Sequence, residues 1–272
     1  MGCLKLEPAW RLPGGGRTGH LSSMAVNDFD ASAALTAASG GDAKREYVRH
    51  VFSQIAPRYD LLNHLLSLNI DRAWRRRAID ALEWRRNPTG LYVDLCAGTL
   101  DVGVMLGGNS AFKGRVLSAD FAEPMLRAGY VKAAGRPVSP VVSDALQLPV
   151  GNETAAGTIV AFGIRNVVDL DAALREVHRV LASRARFVIL EFATPSNPFI
   201  RSLYHVYFHK VLPTIGGFVS GHPTAYRYLP ESVAHFPGPV ALAERMQTAG
   251  FVDVKWHLLT LGVAAIHTGI KR

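Results

Sequence analysis

The sequence predicts an α/β fold: a doubly wound, mostly parallel seven-stranded sheet with an antiparallel C-terminal strand and a helical or looped lid. Short apolar runs recur at 91–95, 115–119, 139–143, 157–162, 186–192, 251–257 and 262–270. Helix-length segments separate most of them, and strands that alternate with helices pair in parallel through right-handed crossovers. The last two runs lie only a few residues apart, so they form a hairpin and one of them runs antiparallel.

Residues 1–43 read as a flexible extension, with the glycines Gly14 to Gly16 and a small-residue run from Ala31 to Gly41 but no sustained period. Order begins near Ala43. Tyr47, Val48, Val51, Phe52 and Ile55 share one helical face, which Pro57 ends. A second helical stretch runs from about Leu61 to Arg86, interrupted near Asn69. Residues 44–272 then form one domain. Within it, the helix before the fifth strand is marked by Leu170, Leu174, Val177, Val180 and Leu181. An insertion at 193–238, rich in Pro, Gly and aromatics, is expected to cover the top of the sheet. Its helix from Phe199 to Leu212 spaces Ile200, Leu203, Tyr204, Tyr207, Phe208, Val211 and Leu212 at three and four residues. That face either packs on the core or forms a lid over a ligand.

The segment Leu91-Tyr-Val-Asp-Leu-Cys-Ala-Gly-Thr-Leu-Asp101 carries the most chemistry. A strand leads into a turn of small residues flanked by acids, and the next strand ends at Asp120. Strand, turn, helix and an acid at the following strand tip form a nucleotide-cofactor cradle, with the acid placed to accept from ribose hydroxyls. The dinucleotide fingerprint requires three glycines so that a pyrophosphate reaches the helix N-terminus. Ala97, Gly98 and Leu100 supply one, so a cofactor without a pyrophosphate is expected. In open sheets the ligand lies beyond the carboxyl ends of the strands. Those tips carry Asp94 to Thr99, Asp120, Asp144 with Ala145, and Ala161 to Asn166. Asp144 and the Ala145 N–H suit the exocyclic amine and ring nitrogen of an adenine. The competing reading makes each acid a helix cap.

Composition narrows the classes. The 272 residues carry a net charge of +8, with 49% hydrophobic and 19% charged residues, which supports a sizeable core. Two distant cysteines argue against a disulfide framework and make the reducing cytoplasm the default compartment. No segment reaches the roughly 20 apolar residues that span a bilayer. No signal peptide is evident either, since Glu7, Arg11, Arg17 and His20 break the N-terminal apolar stretches. The Trp-containing basic segments Trp74 to Arg77 and Trp84 to Arg86 suit contact with anionic headgroups, or a solvated helix face. A nucleic-acid role lacks a continuous basic surface. His205 and His209 lack a third ligand at metal spacing, so no metal is expected.

Several stretches carry a resemblance to a known family. They are Tyr59-Asp-Leu-Leu-Asn-His-Leu-Leu-Ser67, Asp71-Arg-Ala-Trp-Arg75, the turn Asp94 to Asp101, Phe162-Gly-Ile-Arg-Asn-Val167, Leu190-Glu-Phe192 and Ser220-Gly-His-Pro-Thr-Ala-Tyr-Arg-Tyr-Leu-Pro-Glu-Ser232. Over residues 45–272 the chain resembles the menaquinone/ubiquinone biosynthesis C-methyltransferases, Rossmann-like class I enzymes that use S-adenosyl-L-methionine. The resemblance implies C-methylation of a prenylated quinol, with demethylmenaquinol preferred and a 2-polyprenyl-6-methoxy-benzoquinol as alternative. It implies cofactor contacts at Asp94, Gly98, Thr99, Asp120, Asp144, Ala145 and Ala161. The family usually has Gly-Gly-Thr-Gly where this chain has Ala97-Gly98-Thr99-Leu100, and often Ser at Ala161. The loop around Leu100 is therefore expected to be wider or differently bent.

Arg165 and Asn166, at the fourth strand tip, are the polar pair expected to face the acceptor. Arginine stays protonated, so Arg165 would stabilise a developing phenolate or hold a water or hydroxide. Tyr59, Asn63 and Tyr226 would orient the ring, and Asp60 is a candidate proton acceptor. Tyr204, Tyr207 and Phe208 would receive the polyprenyl tail. A homo-oligomer and peripheral contact with the inner face of the membrane are compatible with this reading. Two rivals remain: an NAD-dependent oxidoreductase, disfavoured by the missing glycines, and a non-catalytic lipid-binding homologue.

Overall fold

The structure is a computed structural model that describes residues 41–56, 67, 69–207, 210 and 223–272. Among the described residues, the helices α1 (Gly41–Ile55) and α2 (Ile70–Ala81) precede the sheet. Then follow β1 (Leu91–Leu95), α3 (Asp101–Gly107), β2 (Arg115–Asp120), α4 (Glu123–Ala133), β3 (Val138–Val142), β4 (Ala155–Ala161), α5 (Leu170–Val180) and β5 (Leu181–Phe192). The chain closes with α6 (Pro198–Val206), α7 (Pro223–Ala234), α8 (Pro239–Thr248), β6 (Phe251–Leu259) and β7 (Ala264–Lys271).

The seven strands form one sheet in the order β3-β2-β1-β4-β5-β7-β6. β1 to β5 pair in parallel, while β7 runs antiparallel to both β5 and β6. The order reverses at β1, with β2 on one side and β4 on the other. That reversal opens a crevice beyond the carboxyl ends of the strands, where ligands of such sheets bind.

Strands covered on both faces read as continuous apolar runs, and alternate residues go to opposite layers. Val93, Leu95, Val160, Phe187 and Ile189 join Leu174 and Val177 of α5 and Leu242 and Met246 of α8 in one layer. Tyr92, Ile159, Val188 and Leu190 meet Trp74, Ala78, Val102 and Leu106 from α2 and α3 in the other. Burial of each such side chain contributes roughly 1.5–3 kcal/mol.

Two strands begin earlier than their apolar runs. β5 starts at Leu181, directly after α5, because Leu181 turns to φ −67°, ψ 135° and pairs with Ala155. β4 starts at Ala155 for the same reason, with an irregularity between Ala155 and Gly157. Among the described residues no helix is long and apolar enough to cross a membrane.

Candidate active site

The turn after β1 folds sharply because Cys96, Gly98 and Leu100 all take left-handed φ values, of 53°, 51° and 70°. Glycine adopts this region freely, but for leucine it costs roughly 1–2 kcal/mol. Burial offsets that cost: the Leu100 side chain packs fully buried against Leu126 and Ala133 of α4. Leu100 itself adopts the left-handed conformation that glycine takes freely. Two neighbouring glycines let other elements close on the turn. A Cβ on Gly129 would stand 2.3 Å from the Thr99 carbonyl, and one on Gly163 would stand 2.3 Å from the Cys96 Cβ.

Backbone amides hold the acids of the turn in place. The Gly98 and Ala122 N–H groups donate to the two Asp120 carboxylate oxygens, each at 2.8 Å, tying the β2 tip to the turn. Gly103 N–H and Ser118 Oγ donate to Asp94 at 3.0 and 3.2 Å. Burial pushes the Asp94 carboxyl up to about 7, overriding these hydrogen bonds. Burial also raises Asp120 against its amide donors. The Cys96 thiol is driven up by burial and by the surrounding carboxylates, so it is a poor nucleophile.

Asp94, Cys96, Gly98 and Asp120 line a cleft that opens to solvent, with about 940 Å³ of empty space including its mouth. Asp94, Gly98, Thr99, Asp120, Asp144, Ala145, Ala161 and Asn166 all line it, as do Phe162 and Asp101. So every cofactor residue expected from the sequence converges on one space. Among the lining residues that the sequence did not assign to the site are Arg45 and Phe52 of α1 and Arg75 of α2. α1 crosses the cavity and is pinned at both sides. Arg45 pairs with Asp144 at 2.7 Å, and Lys44 Nζ donates to the Arg165 and Val167 carbonyls at 3.0 and 2.9 Å. Burial and the nearby Arg165 charge lower the Lys44 ammonium.

Arg165 and Asn166 share the 3-10 turn Ile164–Asn166 yet face different ways. Asn166 lines the cavity, and its buried Oδ1 has no partner among the described residues. Arg165 is not part of that wall. It is buried under the β4 tip, where Nη1 donates to Glu191 Oε1 at 2.6 Å and to the Phe162 carbonyl at 2.5 Å. Burial raises the Glu191 carboxyl, with the Arg165 charge opposing it. Tyr204 of α6 is buried within the field of this pair; desolvation raises its phenol, with Arg165 acting against the shift. Tyr207 is half-buried, and desolvation raises its phenol as well. Beside the pair, Phe162, Phe192 and Trp74 form an aromatic cluster. Phe162 and Phe192 stand 4.7 Å apart, Trp74 and Phe162 6.0 Å, and the Arg165 guanidinium lies 5.5 Å over Phe192.

Tyr59, Asp60, Asn63 and Phe208 lie outside the described residues. Tyr226 belongs to the backbone of α7, but its side chain is likewise outside the description. The sequence signal for Glu191 was present in Leu190-Glu-Phe192, but its partner became visible only once β4 and β5 were in register.

The model of the ubiE/COQ5 methyltransferase family matches residues 41–271. The chain belongs to that family. This methyltransferase is 48% identical over 221 residues to the demethylmenaquinone methyltransferase of Thermus thermophilus, covering 80% of this chain and 99% of the relative. It is 41% identical over 233 residues to the ubiquinone/menaquinone biosynthesis C-methyltransferase UbiE of Citrifermentans bemidjiense, covering 84% and 97%. Its fold is that of a SAM-dependent methyltransferase from Thermotoga maritima, with a TM-score of 0.57 at 17% identity over 82% of this chain and 99% of that one. The enzyme class and fold expected from the sequence are therefore correct.

Proposed function

We propose that this methyltransferase moves the methyl group of S-adenosyl-L-methionine to a ring carbon of demethylmenaquinol, giving menaquinol. The observation that carries this reading is the 48% identity across nearly the whole of a demethylmenaquinone methyltransferase. The relatives named for ubiquinone as well as menaquinone biosynthesis support a benzoquinol acceptor as the second reading.

The cavity residues fit this donor chemically. Asp94, Asp101, Asp120 and Asp144 outnumber the lining cations Arg45 and Arg75, which suits a sulfonium cation and disfavours a pyrophosphate. Asp120 would take the ribose hydroxyls, Asp144 with the Ala145 N–H the adenine, and Gly98 and Thr99 the close backbone approach. When bound, the donor supplies an electrophilic methyl group.

The chain's own residues orient and activate the acceptor. A ring hydroxyl with a pKa near ~10 must lose its proton for the carbon to attack. Asn166 Oδ1, buried at the cavity wall without a partner among the described residues, would accept from the ring hydroxyl. Arg165, paired with Glu191 behind the wall, fixes the turn that presents Asn166 to the acceptor. Tyr59, Asn63 and Tyr226 would orient the acceptor ring, Asp60 would take its proton, and Tyr204, Tyr207 and Phe208 would receive the tail. Holding the reactants at attack distance supplies much of the acceleration. The enzyme domain is 44–272, with 193–238 as its cover. Peripheral contact with the membrane brings it to a prenylated substrate.

Purified enzyme incubated with radiolabelled S-adenosylmethionine and demethylmenaquinol should yield labelled menaquinol. Label in the benzoquinol alone would select the second reading, and label in neither would refute both.

A further inference from the structure

The geometry points to Arg75 as the residue that holds the carboxylate at the amino-acid end of the methyl donor. This inference rests on the donor reading above. Asp144 and Asp120 stand at the β3 and β2 tips, so a donor with its adenosyl part there extends across the sheet toward the β1 and β4 tips. At that end the cavity wall includes Asp101, Val102, Phe162 and Arg75. A carboxylate leaving water for this space needs a cation or several N–H donors.

Two cations line the cavity among the described residues, and they occupy opposite ends. Arg45 sits on Asp144, at the adenine side, and its side chain is 47% exposed. Arg75 is held from beneath by α2 and its side chain is 6% exposed. Its Nη1 donates to Asp71, which also accepts from Ser67 Oγ at 2.6 Å. The guanidinium stands 5.3 Å over the Phe162 ring. These contacts fix the plane of the group without using all of its donors. Nη2 lies 3.9 Å from Asp101, beyond hydrogen-bond reach. Asp101 is already served by Lys132 Nζ at 2.6 Å. Arg75 therefore presents an oriented fork whose geometry matches a carboxylate, in a place where water is largely excluded.

Two ligands isolate this contact. S-adenosylhomocysteine carries the carboxylate; S-adenosyl-3-thiopropylamine keeps the adenosyl and ammonium groups but lacks it. Isothermal titration should give the wild-type enzyme a preference of about 10- to 100-fold for the first. Arg75→Gln in an Asp71→Asn background leaves no buried charge unpaired. It should abolish the preference by weakening S-adenosylhomocysteine alone. Arg75→Lys, which keeps the charge but loses the fork, should narrow the preference, and it decides the matter if the double variant does not fold. Equal losses on both ligands, a preference that survives in the double variant, or an undiminished preference in Arg75→Lys would overturn the assignment. Wild-type enzyme that binds neither ligand would instead refute the donor reading itself.

Discussion

Glu191 and Arg165, 26 positions apart, are brought to 2.6 Å under the β4 tip, both nearly excluded from solvent. The partnership joins the end of β5 to the turn that carries Asn166. Removing one partner of a buried pair leaves an uncompensated charge and typically costs about 3–5 kcal/mol. Glu191→Ala is expected to lose stability on that scale by urea unfolding, and Glu191→Gln less. Neither residue lines the donor cavity, so in Glu191→Gln methyl transfer should fall by an order of magnitude or more while S-adenosylhomocysteine affinity stays within about threefold. A matching loss of affinity would mean that the pair shapes the donor site instead.

Asp94 provides a pH signature. Its carboxyl rises from 3.8 to about 7 in the folded chain, chiefly through burial. A raised pKa means that the folded state holds the proton more tightly than the unfolded chain. The associated stability is full below about pH 4 and is lost as pH climbs to about 7. Melting temperature should fall over that window in the wild type and fall less in Asp94→Asn. Parallel profiles would remove Asp94 as the cause.

Close approach to the turn can be tested with one methyl group. Gly163→Ala drives its Cβ into Cys96, whereas Gly238→Ala meets nothing within 4 Å and its φ of −63° suits any residue. The first should cost about 1–3 kcal/mol and weaken S-adenosylhomocysteine binding. The second should leave both unchanged. Calorimetry and thermal melts on the pair check this.

A surface prediction concerns α2. Arg72, Arg76 and Arg77 are exposed on it, and Trp74 Nε1 on the same helix donates to Thr260 Oγ1 at 3.0 Å, next to the exposed Leu261. Each arginine near an anionic surface contributes about 1 kcal/mol. The triple glutamine variant should lose binding to phosphatidylglycerol vesicles by one to two orders of magnitude in co-sedimentation, with no change in S-adenosylhomocysteine affinity. Unchanged vesicle binding would exclude this face.

The sheet was legible because apolar runs of strand length are dictated by burial on both faces. Asp120 and Asp144 were legible as strand tips for the same reason. The long-range pairings were not. Glu191 with Arg165 depends on the β4–β5 register, and Arg45 with Asp144 on where α1 lies across the sheet; neither leaves a trace in local spacing. The left-handed φ of Leu100 was not legible either, because it depends on the pocket that Leu126 and Ala133 of α4 form around the side chain.

That buried leucine has a thermodynamic consequence. A glycine at the same place would sample both signs of φ before a ligand arrives, and ordering it would oppose association entropically. Leu100, wedged against α4, has already spent that freedom during folding. The donor pocket is thus set in advance, and complex formation should show little of the entropic penalty that accompanies loop ordering.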